Sequence, residues 1–242
     1  MWSGLLLAGL VVTLGGLVQG LAGFGLALVA VPILALLDPA LLPVPILITA
    51  MTHSIMSLAR EHAHVDWHGV GWAILGRMPG TVIGVLLVDS LDQKQFSLLI
   101  GVVVLLSVLL SITTWNPRPT RTALVIAGLT SGSFGTAMSV GGPPVAMLYQ
   151  HSPGAQIRAT LAAYFVLGSF TSLAGLLVAG QVHVPQVVTG LLLIPFLVAG
   201  FLLSSPLRKL VDAKGIRTPV LLLSTVAAIT LILRSVLGQV FS

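Results

Sequence analysis

The sequence predicts an all-α polytopic membrane protein of two inverted repeats. Each repeat is read as a glycine-broken re-entrant helical hairpin followed by three transmembrane helices. Three observations carry this reading. The chain of 242 residues is 56% hydrophobic and only 7% charged, whereas soluble domains carry about a quarter charged residues. Apolar runs near the length of a bilayer span recur from end to end. Finally, Gly16, Leu17, Gly20, Gly23 and Pro32 return at one constant offset as Gly128, Leu129, Gly132, Gly135 and Pro144. The composition leaves no stretch polar enough for a separate soluble domain. Cysteine is absent, which excludes disulfides and thiol chemistry. Net charge is +5, from cations placed as cytoplasmic loops of a membrane protein place them, not as a nucleic-acid surface would. The first cationic side chain is Arg60, so no cleavable signal peptide is expected.

Repeat 1 covers 1–115. Its first stretch, 3–37, would be about 52 Å long as one helix, against a hydrocarbon core of about 30 Å. It must break, and Gly20, Gly23 and Gly25 supply the break. Two arms of roughly equal length would be short for full spans, so a hairpin that dips in and returns is expected. Spans follow at 43–60, 68–89 and 95–114. The linker Trp115-Asn116-Pro117-Arg118-Pro119 closes the half. Repeat 2 covers 116–242, with a hairpin at 121–150 and spans at 156–179, 184–205 and 218–239. Its hairpin carries Ser131-Gly132-Ser133-Phe134-Gly135, read as the break, and then Gly141-Gly142-Pro143-Pro144. Pro79 and Gly84 return as Pro195 and Gly200 at a slightly longer offset, which a short insertion explains.

The cations test the hairpins, because Lys and Arg gather in cytoplasmic loops. If each broken stretch dips and returns, Arg60, Arg118, Arg121, Arg158, Arg208, Lys209, Lys214 and Arg217 share one side. Lys94 and Arg234 then face the other. If each broken stretch crosses once, this grouping is lost. The hairpin topology places both termini outside, in a bacterial-type inner membrane. With three spans per half, the halves are inverted, the usual plan of secondary transporters that hold substrate between repeats near the midplane. Trp2, Trp67 and Trp115 fall at span ends, as interfacial tryptophans do.

Irregular backbone at membrane depth persists only where protein buries it or where it lines a wet cavity. A helix end there offers free N–H groups and a positive dipole end, which suits an anion. Gln19, Gly20, Gly23 and Gly25 at the first break, and Ser131, Gly132, Gly135 and Thr136 at the second, are therefore the candidate binding residues. The competing reading is that these glycines only permit close helix packing. Arg77 lies well inside its span, and no intramembrane Asp or Glu is available to pair with it. A charge there is a functional hypothesis by default, and its missing partner would be an anionic substrate. His53 is the mid-span group able to titrate near neutral pH, a candidate for proton coupling or a neutral histidine bonded to backbone. The loop His62-Ala63-His64-Val65-Asp66-Trp67-His68 offers metal-ligating groups, but its alternate spacing reads better as a polar interfacial loop. No metal or other cofactor is expected.

At the two breaks the chain resembles the TauE/SafE sulfite exporter family, also called the 4-toluene sulfonate uptake permease family. The resembling residues are Gly16 to Gly25 with Val31-Pro32, and Gly128 to Gly135 with Gly141-Gly142-Pro143-Pro144. The resemblance implies a duplicated helical bundle that transports sulfite, thiosulfate or an organosulfonate. The expectation is thus a secondary transporter, not an enzyme, working by alternating access with the anion between the two broken tips. Its partners are the small anion and the lipid bilayer, and it acts as a monomer or homodimer. The alternatives are a divalent-metal carrier using the histidine loop, or a non-transporting membrane module that binds a partner.

Overall fold

The computed structural model describes residues 2–112, 117–210 and 213–237, with side chains described in 4–112, 117–207 and 218–237. Trp2, Trp115 and the cations Arg208, Lys209, Lys214 and Arg217 lie outside the described side chains. The described chain is helical throughout: α1 Trp2–Ala22, α2 Leu26–Leu37, α3 Val44–Glu61, α4 Trp67–Ser90, α5 Gln93–Ile112, α6 Arg121–Met138, α7 Gly142–Tyr149, α8 Gly154–Val178, α9 Val184–Leu210 and α10 Ala213–Leu237. Two short 3-10 turns, Pro39–Leu41 and His62–His64, flank α3. Among the described residues seven stretches are long and apolar enough to cross a membrane, those of α1, α3, α4, α5, α8, α9 and α10. Leu75, Leu86, Leu109, Leu202 and Leu222 are exposed on these helices. Exposed leucines on helix after helix would be a liability in water; in lipid they are the expected outer face.

The helices pair across the two halves of the sequence. α1 lies along α9, α6 along α4, α3 against α8 and α5 against α10. The first two pairs run parallel: Gly9 faces Phe196 and Gly20 faces Ser204, while Gly76 faces Val125 and Gly84 faces Ser133. Both ends of 121–150 come to the start of α4, since the Arg121 guanidinium stacks 5.3 Å from the Trp72 ring and Tyr149 donates to Asp66 at 2.9 Å. At the opposite end Leu36 accepts from Arg234 at 3.1 Å, and Gln181 donates to Asp89 at 2.9 Å.

The breaks are not where the glycine count put them. α1 continues through Gly20 to Ala22, and the chain leaves helix only at Gly23 (φ 87°) and Gly25 (φ 126°). The two arms are therefore unequal, and α1 alone is long enough to cross. In the second half 131–135 is continuous helix, not a break. α6 runs on to Met138 and ends at Ser139, whose φ of 63° is left-handed. There the Ser139 and Val140 N–H groups both return to the Phe134 carbonyl, the latter at 3.3 Å, closing the helix end through a left-handed residue. Gly132 and Gly135 thus offer no free backbone N–H.

The reason is packing. A glycine costs a helix about 1 kcal/mol relative to alanine, but it lets two backbones approach. A Cβ on Gly132 would sit 2.6 Å from the Arg77 carbonyl and 3.1 Å from its Cα. Neither atom can swing away, so α6 would have to lift off α4. Gly132→Ala is expected to destabilise the protein by about 1–3 kcal/mol, read as a lowered unfolding temperature in detergent. Gly71→Ala, where nothing lies within 4 Å, serves as the control and leaves stability unchanged or raised.

Candidate functional site

Arg77 sits on α4 between Gly76 and Met78 and is 3% exposed. The glycines of α6 and α8 make room for it. Gly132 admits its backbone, and Cβ atoms on Gly135 and Gly168 would press on the guanidinium, at 3.2 Å from Nη2 and 2.5 Å from Nε. The guanidinium reaches across to α6 and α8. Nη1 donates to Ser131 Oγ and to the Tyr164 hydroxyl, each at 3.1 Å. Nη2 donates to Ser172 Oγ at 3.0 Å. The Tyr164 ring lies 5.2 Å from Cζ. Behind these partners, Ser131 donates to the Gly141 carbonyl, and Ser172 shares a hydrogen bond with Thr136 at 2.7 Å. Arg77 Nε is buried without a hydrogen-bond partner.

Every partner of this guanidinium is neutral. Among the described residues the salt bridge is elsewhere, between Arg158 and Glu61 at 2.9 Å. Three hydroxyls and one ring face orient Arg77 and solvate it in part, but they leave its full positive charge uncompensated. Removing an ion from water costs several kcal/mol after relaxation.

A cavity of about 40 Å³ opens beside the guanidinium. The two breaks supply most of its wall: Gln19, Phe24 and Gly25 from the first, Ser139 and Gly141 from the second. Arg77, Gly135 and Ser169 complete the polar side. At roughly 10–15 Å³ per water, this is room for about three waters, or one small oxyanion.

The sequence candidates divide into three groups. Gln19, Gly25, Gly135 and Arg77 line the cavity. Ser131 and Thr136 do not, being turned onto the guanidinium, one directly and the other through Ser172. Gly20, Gly23 and Gly132 face Ser204, Arg158 and the Arg77 backbone respectively, the first and last at contacts between helices and Gly23 at the turn after α1. His53 is buried, with Nε2 3.1 Å from the Gly16 carbonyl and Nδ1 3.4 Å from Ser57 Oγ. Its ring lies edge-on to Phe201. A neutral imidazole protonated on Nε2 satisfies both contacts, and His53 is not among the cavity lining.

In the histidine loop, His68 accepts from the Trp72 indole at 3.1 Å, while His62 and His64 are exposed in the 3-10 turn. Among the described residues no three His, Asp or Glu side chains come together as a metal site. Sequence reasoning missed Tyr164, Ser169 and Ser172. The signal was present: Tyr164, Gly168 and Ser172 stand at i, i+4 and i+8, one narrow polar stripe on an apolar span.

Comparison with known proteins agrees with this architecture. The profile of the sulfite exporter TauE/SafE family matches residues 7–231. The chain belongs to the TauE/SafE family. It is 28% identical over 200 residues to the "Probable sulfite/organosulfonate exporter TauE" of Cupriavidus necator, covering 76% of this chain and 77% of that relative. No solved structure matches. Membership in TauE/SafE, with seven apolar helices of spanning length among the described residues, makes this a multi-pass membrane protein of an exporter family. The glycine-rich stretches at 16–25 and 128–144 frame the Arg77 cavity.

Proposed function

We propose that the protein is a secondary transporter, not an enzyme, that carries a small sulfur-containing anion of the sulfite, thiosulfate or organosulfonate class outward across the cytoplasmic membrane. The anion binds in the cavity between the two breaks, with Arg77 as its counter-charge and Gln19, Ser139 and Ser169 as polar wall. The observation that carries this reading is a buried guanidinium bonded to three neutral hydroxyls, beside an opening of small-anion size. Two inverted repeats, 1–115 and 116–242, supply the moving parts. The reciprocal pairing of α1 with α9 and α6 with α4 supports that division, and rocking of one repeat against the other provides alternating access.

In this reading each glycine-broken stretch turns back on itself and returns to the side it entered from. Support comes from the two ends of 121–150 meeting at the start of α4. Arg60, Arg121 and Arg158 belong to that end of the molecule, while Lys94 and Arg234 line a crevice at the other. By the positive-inside rule the first end is cytoplasmic, so both termini are outside. Reporter fusions at each terminus check the orientation, and a cytoplasmic C-terminus contradicts it. The function is tested by loading proteoliposomes with labelled sulfite. Saturable flux, competed by thiosulfate, is expected. No protein-dependent flux of sulfite, thiosulfate or a sulfonate would overturn the reading.

A further inference from the structure

Two cavities meet at the first helix break. The smaller contains Arg77. The larger, of about 240 Å³, is walled mainly by apolar side chains such as Val18, Leu21, Leu110 and Ile157, with Ser111, Gln150 and Arg158 as polar members. Phe24, Gly25, Leu28 and Pro143 line both, so these four residues form the wall between them. Phe24 is the aromatic ring in that wall, and its position is unusual. It lies outside regular helix, between Gly23 at φ 87° and Gly25 at φ 126°, backbone conformations that a side-chain-bearing residue rarely adopts. This glycine pair turns Phe24 toward the second break. Its Cβ lies 3.5 Å from where a Cβ on Gly142 would stand, and the Phe165 ring reaches within 3.4 Å of the same point. The tip of the first break is thus seated on the first residue of α7.

We propose that Phe24 is a specificity-determining residue that restricts the Arg77 cavity to small inorganic sulfur oxyanions. The inference rests on the reading that the anion binds at Arg77. A cavity with room for about three waters accepts a sulfite-sized ion whole. A sulfonate carrying an organic tail must place that tail beyond Phe24, in the apolar cavity, and the ring closes that path. Without the ring, the two spaces join into a polar head site with an apolar tail site, the combination that organic ligands favour.

Two measurements test this. Ser169 lines the Arg77 cavity and not the larger one, and the chain has no cysteine. Ser169→Cys therefore gives a single thiol behind the ring, to be labelled with 2-sulfonatoethyl methanethiosulfonate. Proteoliposome flux of 4-toluenesulfonate and of sulfite is measured in parallel. Phe24→Ala is expected to raise both the labelling rate and the ratio of 4-toluenesulfonate to sulfite flux by about tenfold or more, the scale on which pocket size discriminates. Phe24→Leu, which keeps an apolar side chain at the wall, should move both in the same direction by less. Labelling and flux ratio unchanged in both variants overturn the proposal. Arg77→Ala separates this failure from failure of the binding reading. Wild-type sulfite flux in that variant removes the anion from Arg77, while the labelling rate still reports whether Phe24 closes the cavity.

Discussion

Arg77→Ala abolishes sulfur-anion transport, by about a hundredfold or more, and leaves the protein folded. The size of the loss follows from what breaking a buried charge pair costs, about 3–5 kcal/mol. Folding survives because the guanidinium is not a net prop of the empty protein. Its removal frees Ser131 and Ser172, which keep their bonds to the Gly141 carbonyl and to Thr136. The buried Tyr164 hydroxyl loses a partner, at about 1–3 kcal/mol. Against that stands the several kcal/mol that an uncompensated buried cation costs, so the balance is close to neutral or favourable. Arg77→Lys keeps the charge but lacks the planar fork that reaches hydroxyls on both α6 and α8, and is expected to lose about tenfold in flux. Wild-type flux in Arg77→Ala, with a normal elution profile in size-exclusion chromatography, would remove Arg77 from the transport site.

The second large effect runs in opposite directions on stability and on function. Ser172 Oγ lies 3.0 Å from Arg77 Nη2. Ser172→Asp places a carboxylate within ion-pair distance, so that the protein supplies the missing negative charge itself. The unfolding temperature should rise, by about 2–4 °C for each kcal/mol gained. Sulfite flux should fall by about a hundredfold, because the substrate must now displace a fixed counter-ion in low dielectric. Ser172→Asn, neutral and similar in shape, should leave the unfolding temperature near wild type and retain more flux than the aspartate. Equal losses of stability in the two polar variants would show that the charge of Arg77 is already compensated.

The membrane class was legible because so few charges cannot solvate a folded surface. Arg77 was legible because nothing in its own span compensates it. Its surroundings were not, because Ser131, Tyr164 and Ser172 are brought to it from α6 and α8 by packing between the two halves. Helical spacing shows that Tyr164, Gly168 and Ser172 share a face, but not which helix that face meets. The glycine clusters were equally visible, and misleading in detail. Gly20 and Gly132 look like Gly23 and Gly141 in the sequence, but the first pair face Ser204 of α9 and the Arg77 backbone of α4 at packing distance. Gly23 and Gly141 are pressed as closely, by Arg158 of α8 and by Ser131 of α6, so contact alone does not separate the two pairs; the first break is set by the positive φ of Gly23 and Gly25. Ser131 was selected for lying near a break, yet it acts one step back, holding the guanidinium while Ser139 and Ser169 line the opening.

The central claim is that an anion completes the charge of Arg77. Titrating sulfite into purified wild-type and Arg77→Ala protein by calorimetry tests it directly. The account predicts saturable binding to the wild type and none to the variant. Equal sulfite affinity in the two proteins would contradict it.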